Sequence, residues 1–172
     1  MKVMGVDPGL AHTGVAVISG SPGKVTAFSW GTIATRPPAP DHERLLLIHE
    51  RLAAILAEEG PALLVLEAAY SLPRYPKSGL LLGKVLGAIL VAASRAGVPV
   101  AEVAVREAKQ VLTGNGAASK AQLERAVRDH LGLDRPITPS HASDAAALAL
   151  IGLFRYSSPA GIPGLRKGGL SP

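Results

Sequence analysis

The sequence has 172 residues, of which 48% are hydrophobic and 18% are charged, so it is long enough for one globular domain with a substantial core. It contains no cysteine, which excludes disulfide bonds, thiolate catalysis and cysteine-ligated zinc sites. Its 18 lysines and arginines exceed its 13 acidic residues, and the net charge of +5 favours an anionic partner such as nucleic acid. The alternative is a basic protein that has the same excess of positive charge but binds no nucleic acid. The N-terminus has no secretory-signal pattern, so we expect a cytoplasmic protein.

The N-terminal part of the chain predicts three antiparallel strands. "MKVMGV" (1–6) and "TGVAVISG" (13–20) flank a glycine-containing turn, and "KVTAFSWGTI" (24–33) follows them. The segment "RPPAPD" then breaks the chain. Apolar residues at helical spacing predict a helix over 42–58.

Helices and strands alternate in the rest of the chain. "PALLVLE" (61–67) is a continuous apolar run typical of a buried parallel strand, and "VPVAEV" (98–103) is the next strand. Further helices are predicted over 79–96, 106–113, 119–131 and 142–156. This order predicts an α/β domain with a five-stranded mixed sheet and helices on both faces. The domain spans 1–156, and the Gly-, Pro- and Ser-rich residues 157–172 are expected to form a flexible basic tail.

The segment 78–97 is apolar enough to suggest a membrane span. Lys84 interrupts it, and Arg95 lies near its end, so 18 uninterrupted apolar residues never accumulate and we expect no membrane association. Glycines recur every four residues and leave one face of this helix without side chains: Gly79, Gly83 and Gly87. That face either packs against the sheet or forms a subunit interface.

Two of the predicted strands end in an acidic residue. Asp7 directly follows the apolar run of the first strand, before Pro-Gly, and Glu67 ends the fourth strand. A charge in a buried strand is costly unless it is paired or bound to a metal. Each acid is also, taken alone, an ordinary turn or strand-end residue. We expect the two strands to lie side by side, so that both carboxylates face one pocket.

A histidine and an aspartate fall on the first turn of the last predicted helix. "TPSHASDAAALAL" (138–150) begins with helix-start residues, and Ser140 is the expected N-cap. His141 and Asp144, three residues apart, share one helix face. Asp144 is also explained by the helix dipole, and His141 by an ordinary surface position. Joined with the two strand-end acids, they form a ligand set that suits Mg²⁺ or Mn²⁺. Two such ions about 4 Å apart activate a water and stabilise the leaving oxygen of a phosphodiester.

Four segments resemble, in order and spacing, the conserved blocks of the RuvC-type Holliday junction resolvases: "GVDPGLAHTGVAV", "LVLEAAY", "AKQVLTGNGAASKAQL" and "SHASDAAALAL". The resemblance runs over residues 1–155. It implies an RNase H-like fold, a homodimer, and symmetric metal-dependent nicking of two strands of a four-way DNA junction in recombination and repair. It also implies the RuvA–RuvB branch-migration complex as a partner. The implied metal ligands, for two Mg²⁺ or Mn²⁺ ions per subunit, are Asp7, Glu67, His141 and Asp144.

The position of His141 is an aspartate in many members of the family, although histidine also occurs there. The histidine removes one negative charge and adds a softer ligand. We therefore expect Mn²⁺ to support cleavage at least as well as Mg²⁺.

The loop after Glu67 combines aromatic and basic residues, which are typical of surfaces that stack on unpaired bases and hold phosphates. "AAYSLPRYPKSG" (68–79) predicts DNA contacts by Tyr70, Arg74 and Lys77. The resemblance places the aromatic ring of Tyr70 at the opened centre of the junction. The loop departs from the family by being one residue longer than in close relatives. An ordinary exposed loop is the alternative.

A second basic segment follows the fifth strand. "TGNGAASK" lacks the spacing of a phosphate-binding loop, which argues against a nucleotide site. It opens a helix at Ser119, where backbone N–H groups can meet a DNA phosphate. Lys109 and Lys120 match lysines of the family's DNA-facing surface, so we expect both to contact DNA.

Three other functions are compatible with parts of this pattern. A related RNase H-fold nuclease acting on RNA shares the Asp-Pro-Gly hairpin but is not expected to carry the aromatic loop. An actin-like ATPase needs two such domains, and 172 residues hold one. A non-catalytic junction-binding module is disfavoured because all four ligand positions carry residues competent to bind metal.

Overall fold

The computed structural model describes residues 1–68 and 76–156. Five strands are present in this part of the chain: β1 (Lys2–Asp7), β2 (His12–Ser21), β3 (Lys24–Ala34), β4 (Leu63–Glu67) and β5 (Val100–Val103). The helices are α1 (Asp41–Glu59), α2 (Pro76–Arg95), α3 (Val105–Thr113), α4 (Lys120–Leu131) and α5 (Ser140–Arg155). The elements agree in order and type with the sequence prediction, and most boundaries agree within two residues. The proposed tail, 157–172, lies outside the described residues.

The strands form one mixed sheet in the order β3-β2-β1-β4-β5. The first three strands pair antiparallel, whereas β1 pairs with β4 and β4 with β5 in parallel. Strand β4 is buried up to Glu67 at its end, as its continuous apolar sequence predicted, whereas Glu102 of the edge strand β5 is exposed. The five-stranded mixed sheet is therefore confirmed.

Helices cover both faces of the sheet, as predicted. Alternate residues of each strand point to opposite faces, so β1 sends Val3 into one core cluster and Met4 and Val6 into the other. The first cluster lies under α3, α4 and α5. The second lies under α1 and α2. The central strands are thus covered on both sides, and the carboxyl ends of β1 and β4 lie together at one edge of the sheet.

The helix α2 packs only one face into the domain. Val85, Ile89 and their neighbours are buried against the sheet. A Cβ added at any of the three periodic glycines would meet no atom within 4 Å, so the glycine face does not pack against the sheet. Of the two alternatives that the sequence left open, packing of this face against the sheet is therefore excluded. Within the described residues one segment, Lys77–Arg95, meets the length and composition of a membrane span, but Lys84 on it pairs with Asp41 of α1 at 3.2 Å. The packing of its inner face and this ion pair make α2 part of the folded domain.

The start of α5 differs from the sequence prediction. Ser140 is the first helical residue rather than the N-cap, which is Pro139, and no side chain caps this end. By contrast, α4 begins with a complete capping box. The Ser119 hydroxyl accepts a hydrogen bond from the Gln122 backbone N–H, while the Gln122 side chain accepts one from the Ser119 backbone N–H. This box fixes the first turn of α4, where Lys120 lies.

Candidate metal and nucleic-acid site

Two glycines bring the backbone of α5 into direct contact with the sheet. A Cβ at Gly5 of β1 would lie 2.0 Å from the carbonyl oxygen of Ala145, and a Cβ at Gly14 of β2 would lie 2.0 Å from that of His141. Only glycine leaves room for so close an approach at these positions. The first turn of α5 is therefore held against the carboxyl end of β1.

This contact places His141 and Asp144 beside Asp7. The Nδ1 atom of His141 lies 2.7 Å from the Oδ2 atom of Asp7, within hydrogen-bond distance. One candidate ligand atom from each of Asp7, His141 and Asp144 lies within 4.8 Å of the others. Although 134 residues separate Asp7 from His141, the fold brings three of the four predicted ligands into one cluster.

Glu67 lies next to this cluster but is not among the residues whose ligand atoms all lie within 4.8 Å of one another. The parallel register pairs Gly5 with Val65, so Asp7 and Glu67, each two residues further along, fall side by side and on the same face of the sheet. The electrostatics agree with this placement, because the charges of Asp7 and Asp144 both act on Glu67. The expected juxtaposition of the two strand-end acids is present.

Burial raises the pKa of both strand-end acids. For Asp7, burial is the largest cause, the hydrogen bond with His141 opposes it, and the net pKa is raised above its ordinary value. For Glu67, burial is again the largest cause of the raised pKa, and the negative charge of Asp7 raises it further. Ionised carboxylates are thus held together here at an electrostatic cost, which a bound cation relieves.

Two of the predicted DNA-binding lysines lie at this cluster. The Nζ atom of Lys120 is 2.6 Å from the Oδ2 atom of Asp144, and 66% of the lysine side chain is exposed. Lys109, half-buried on α3, lines a cavity together with Lys120, Glu67 and Asp144. Positive charge therefore lies beside the acids, where a phosphodiester would approach.

Three further residues are predicted to contact DNA. Lys77 is exposed on the first turn of α2. Tyr70 and Arg74 lie outside the described residues.

His12 is a residue of this site that the sequence reasoning missed. Its ring stacks on that of His141, with ring centroids 5.9 Å apart and an interplanar angle of 21°. The stack covers one side of the imidazole that contacts Asp7. The only signal in the sequence is a histidine five residues after Asp7, at the start of β2, and nothing in the sequence links it to a residue on α5.

The donor set fits a divalent cation. Carboxylate oxygens suit Mg²⁺ and Mn²⁺, and an imidazole nitrogen is accepted more readily by Mn²⁺. The group Asp7, His141 and Asp144 offers two carboxylates and one imidazole close enough to share an ion, with Glu67 beside it. Partial burial and raised pKa values are also common among functional carboxylates.

A mixed sheet with helices on both faces and a carboxylate cluster at the ends of its central strands defines an RNase H-like nuclease fold. Residues 3–152 match the family model described as "Crossover junction endodeoxyribonuclease RuvC". The chain belongs to this family.

Individual relatives agree with this assignment. The crossover junction endodeoxyribonuclease RuvC of Prosthecochloris aestuarii is 40% identical over 154 residues, which cover 90% of this chain and 82% of the relative. That of Syntrophomonas wolfei is 40% identical over 157 residues, covering 91% and 90%. The structure of Thermus thermophilus RuvC in complex with Holliday junction substrate is 35% identical, with a TM-score of 0.84 over 90% of this chain and 93% of that one.

Proposed function

We propose that this protein is a divalent-metal-dependent endonuclease that resolves four-way DNA junctions by paired incisions, in homologous recombination and DNA repair. The observation that carries the proposal is the convergence of Asp7, His141 and Asp144 at the end of β1, in a chain of the RuvC family. The net charge of +5 suits a DNA substrate.

We assign the metal ligands to Asp7, Glu67, His141 and Asp144, with two Mg²⁺ or Mn²⁺ ions per subunit. Bound ions would supply an activated water and offset the charge that develops on the phosphate. Asp7 is central among the ligands, because it contacts His141 directly and its charge also acts on Glu67. His12 restricts the ring of His141 by stacking on it.

Lys120 and Lys109 hold the DNA backbone in this proposal. The ammonium group of Lys120 offsets the charge of Asp144 at 2.6 Å, and its exposed side chain can turn from that carboxylate towards a phosphate oxygen. Lys109, on α3, lines the same cavity as Lys120. We assign further DNA contacts to Lys77, Tyr70 and Arg74.

A homodimer would provide two active sites for the two cut strands, because a four-way junction is close to two-fold symmetric. The candidate interface is the exposed face of α2. Apolar side chains lie there beside the three open glycines: Leu80, Leu90 and Val91. We expect light scattering to give the mass of a dimer, and Gly83→Glu to give a monomer, since that position is exposed and free of neighbours. We also propose a cytoplasmic location and, as a partner, the RuvA–RuvB complex.

The test is cleavage of a synthetic four-way junction, of a linear DNA duplex and of an RNA of the same sequence, each with Mg²⁺, Mn²⁺ or EDTA. We expect paired nicks in the junction, lost with EDTA and in Asp7→Asn while junction binding persists. Asp134→Asn is a matched control, because it removes an exposed carboxylate from a loop. Binding without cleavage under either metal would indicate a junction-binding module. Equal cleavage of RNA or linear DNA would contradict the assigned substrate.

A further inference from the structure

The loop that joins β1 to β2 contacts His141 from both of its ends. Asp7, immediately before the loop, has its Oδ2 atom 2.7 Å from the Nδ1 atom of His141. His12, immediately after the loop, stacks on the same imidazole with the ring centroids 5.9 Å apart. Residues 8–11 therefore set the spacing between a group at the edge of this ring and a group on its face.

Hydrogen bonds to three consecutive backbone carbonyls fasten this loop. The Thr13 hydroxyl donates to the carbonyl oxygen of Gly9 at 2.8 Å. Thr35 makes the other two bonds, since its hydroxyl donates to the carbonyl oxygen of Leu10 and its backbone N–H donates to that of Ala11 at 2.9 Å. The side chain of Leu10 is also buried in the core cluster under α1 and α2. Thr35 is thus the residue that ties the middle of the loop to the rest of the domain.

A charged side chain on α1 orients the hydroxyl of Thr35. Thr35 follows the last residue of β3 and is 5% exposed. The Nε atom of Arg44 donates a hydrogen bond to its Oγ1 atom at 2.8 Å. Because a guanidinium group only donates, the hydroxyl must accept from Arg44 and turn its single proton towards Leu10. The hydrogen bonds therefore run in one direction, from Arg44 through Thr35 to the carbonyl of Leu10.

We propose that Thr35 is a positioning residue of the metal site and that Arg44 is its anchor. Thr35 fixes residues 8–11, and these residues hold both groups that orient the ring of His141. Groups that orient metal ligands affect metal binding without touching the ion, and their loss weakens metal affinity or activity by about 10- to 100-fold. The inference rests on the proposed nuclease function, to which it adds two residues outside the ligand set.

Two threonines provide a matched pair for the test. Thr35→Val removes the hydroxyl but keeps the shape of the side chain, and Thr35→Ser restores the hydroxyl. Thr26→Val is the control, because the Thr26 hydroxyl also donates to a backbone carbonyl, that of Ser19 at 3.2 Å, but at the opposite end of β3. Arg44→Gln interrupts the same hydrogen bonds from a half-buried position and serves should Thr35→Val impair folding.

The first measurement is the affinity of the folded, DNA-free protein for Mn²⁺, followed by electron paramagnetic resonance of the free ion. We expect Thr35→Val and Arg44→Gln to bind Mn²⁺ about tenfold more weakly than the wild type. Thr35→Ser and Thr26→Val should keep the wild-type affinity. A threonine that only stabilised the fold would change the free energy of unfolding and leave this affinity unaltered, so wild-type affinity in folded Thr35→Val would overturn the proposal. Weaker junction binding with unchanged Mn²⁺ affinity in Arg44→Gln would make Arg44 a DNA contact and overturn its role as the anchor.

The second measurement needs neither metal nor DNA. The imidazole resonances of His12 and His141 in the metal-free protein report the stacking of the two rings by NMR. We expect both sets of resonances to shift in Thr35→Val and to keep their wild-type positions in Thr35→Ser and Thr26→Val. Unshifted resonances in Thr35→Val would contradict the link from Thr35 to the rings. A wild-type protein that binds no Mn²⁺ would instead overturn the proposed function, whatever the histidine resonances show.

Discussion

The contact between Gly14 and α5 offers a direct test of how the site is assembled. Gly14 pairs with Asp7 across the sheet, and an added Cβ would lie 2.0 Å from the carbonyl oxygen of His141. To reach an ordinary contact of 3.4 Å, the first turn of α5 must move by about 1.4 Å, because the obstructing atom is backbone and has no rotamer to change. Overpacking of this kind costs about 1–3 kcal/mol, and a misplacement of about 1 Å costs on the order of 100-fold in rate.

We therefore expect Gly14→Ala to lower the free energy of unfolding by about 1–3 kcal/mol and single-turnover cleavage by about 100-fold. Urea denaturation and cleavage of a synthetic junction, well below the melting temperature, measure the two effects. Gly31→Ala on β3 is the control, since a Cβ there meets no atom within 4 Å. Wild-type stability and cleavage in Gly14→Ala would refute the close seating of α5. Reduced stability with an unchanged cleavage rate would refute the link between this seating and the catalytic geometry.

Three further predictions concern the charges of the site. Asp7→Asn should abolish cleavage. The same substitution should raise the free energy of unfolding of the metal-free protein by about 0.5–2 kcal/mol, because it removes a charge that burial disfavours. Urea denaturation measures this change, and a variant less stable than the wild type would contradict the prediction. The raised pKa values of Asp7 and Glu67 mean that the folded state binds protons more tightly than the unfolded state. Stability in EDTA should therefore fall as the pH rises from about 4 through the raised pKa values, and Glu67→Gln should flatten that decline. A free energy of unfolding that rises over this pH range would contradict the raised pKa values of the two acids in the folded state. His141→Asp should shift the metal preference towards Mg²⁺, and identical metal-dependence curves for the variant and the wild type would contradict the role of the imidazole.

The part of the site built on neighbouring strands was predictable from the sequence. Asp7 and Glu67 each end an apolar run, and runs of this kind form adjacent central strands in a mixed sheet. The spacing of His141 and Asp144 placed both on one helix face. Local patterns therefore singled out all four residues as candidates, and the resemblance to the RuvC family assigned them as metal ligands.

The contacts between distant segments were not predictable in the same way. Nothing in the sequence shows that Gly5 and Gly14 lie under the backbone of α5, because a glycine in a strand indicates close approach without naming the partner. The stack of His12 on His141 and the pairing of Lys120 with Asp144 depend on where α5 and α4 are placed. The expected Ser140 cap was wrong for a local reason, since the helix begins one residue earlier, after Pro139.

The composition of α5 explains how a cluster of mutually repelling acids is held in place. Apart from Asp144, every residue from Ala142 to Leu153 is buried, and many of these residues are alanines that let the helix lie close to the sheet. Burial of nearly the whole helix provides the hydrophobic stabilisation that offsets the repulsion between Asp7, Glu67 and Asp144. A cation that binds only the folded protein adds about 2.7 kcal/mol at 100 times its dissociation constant. Packing thus positions the acids, and a divalent cation bound between them, as proposed above, would relieve their repulsion.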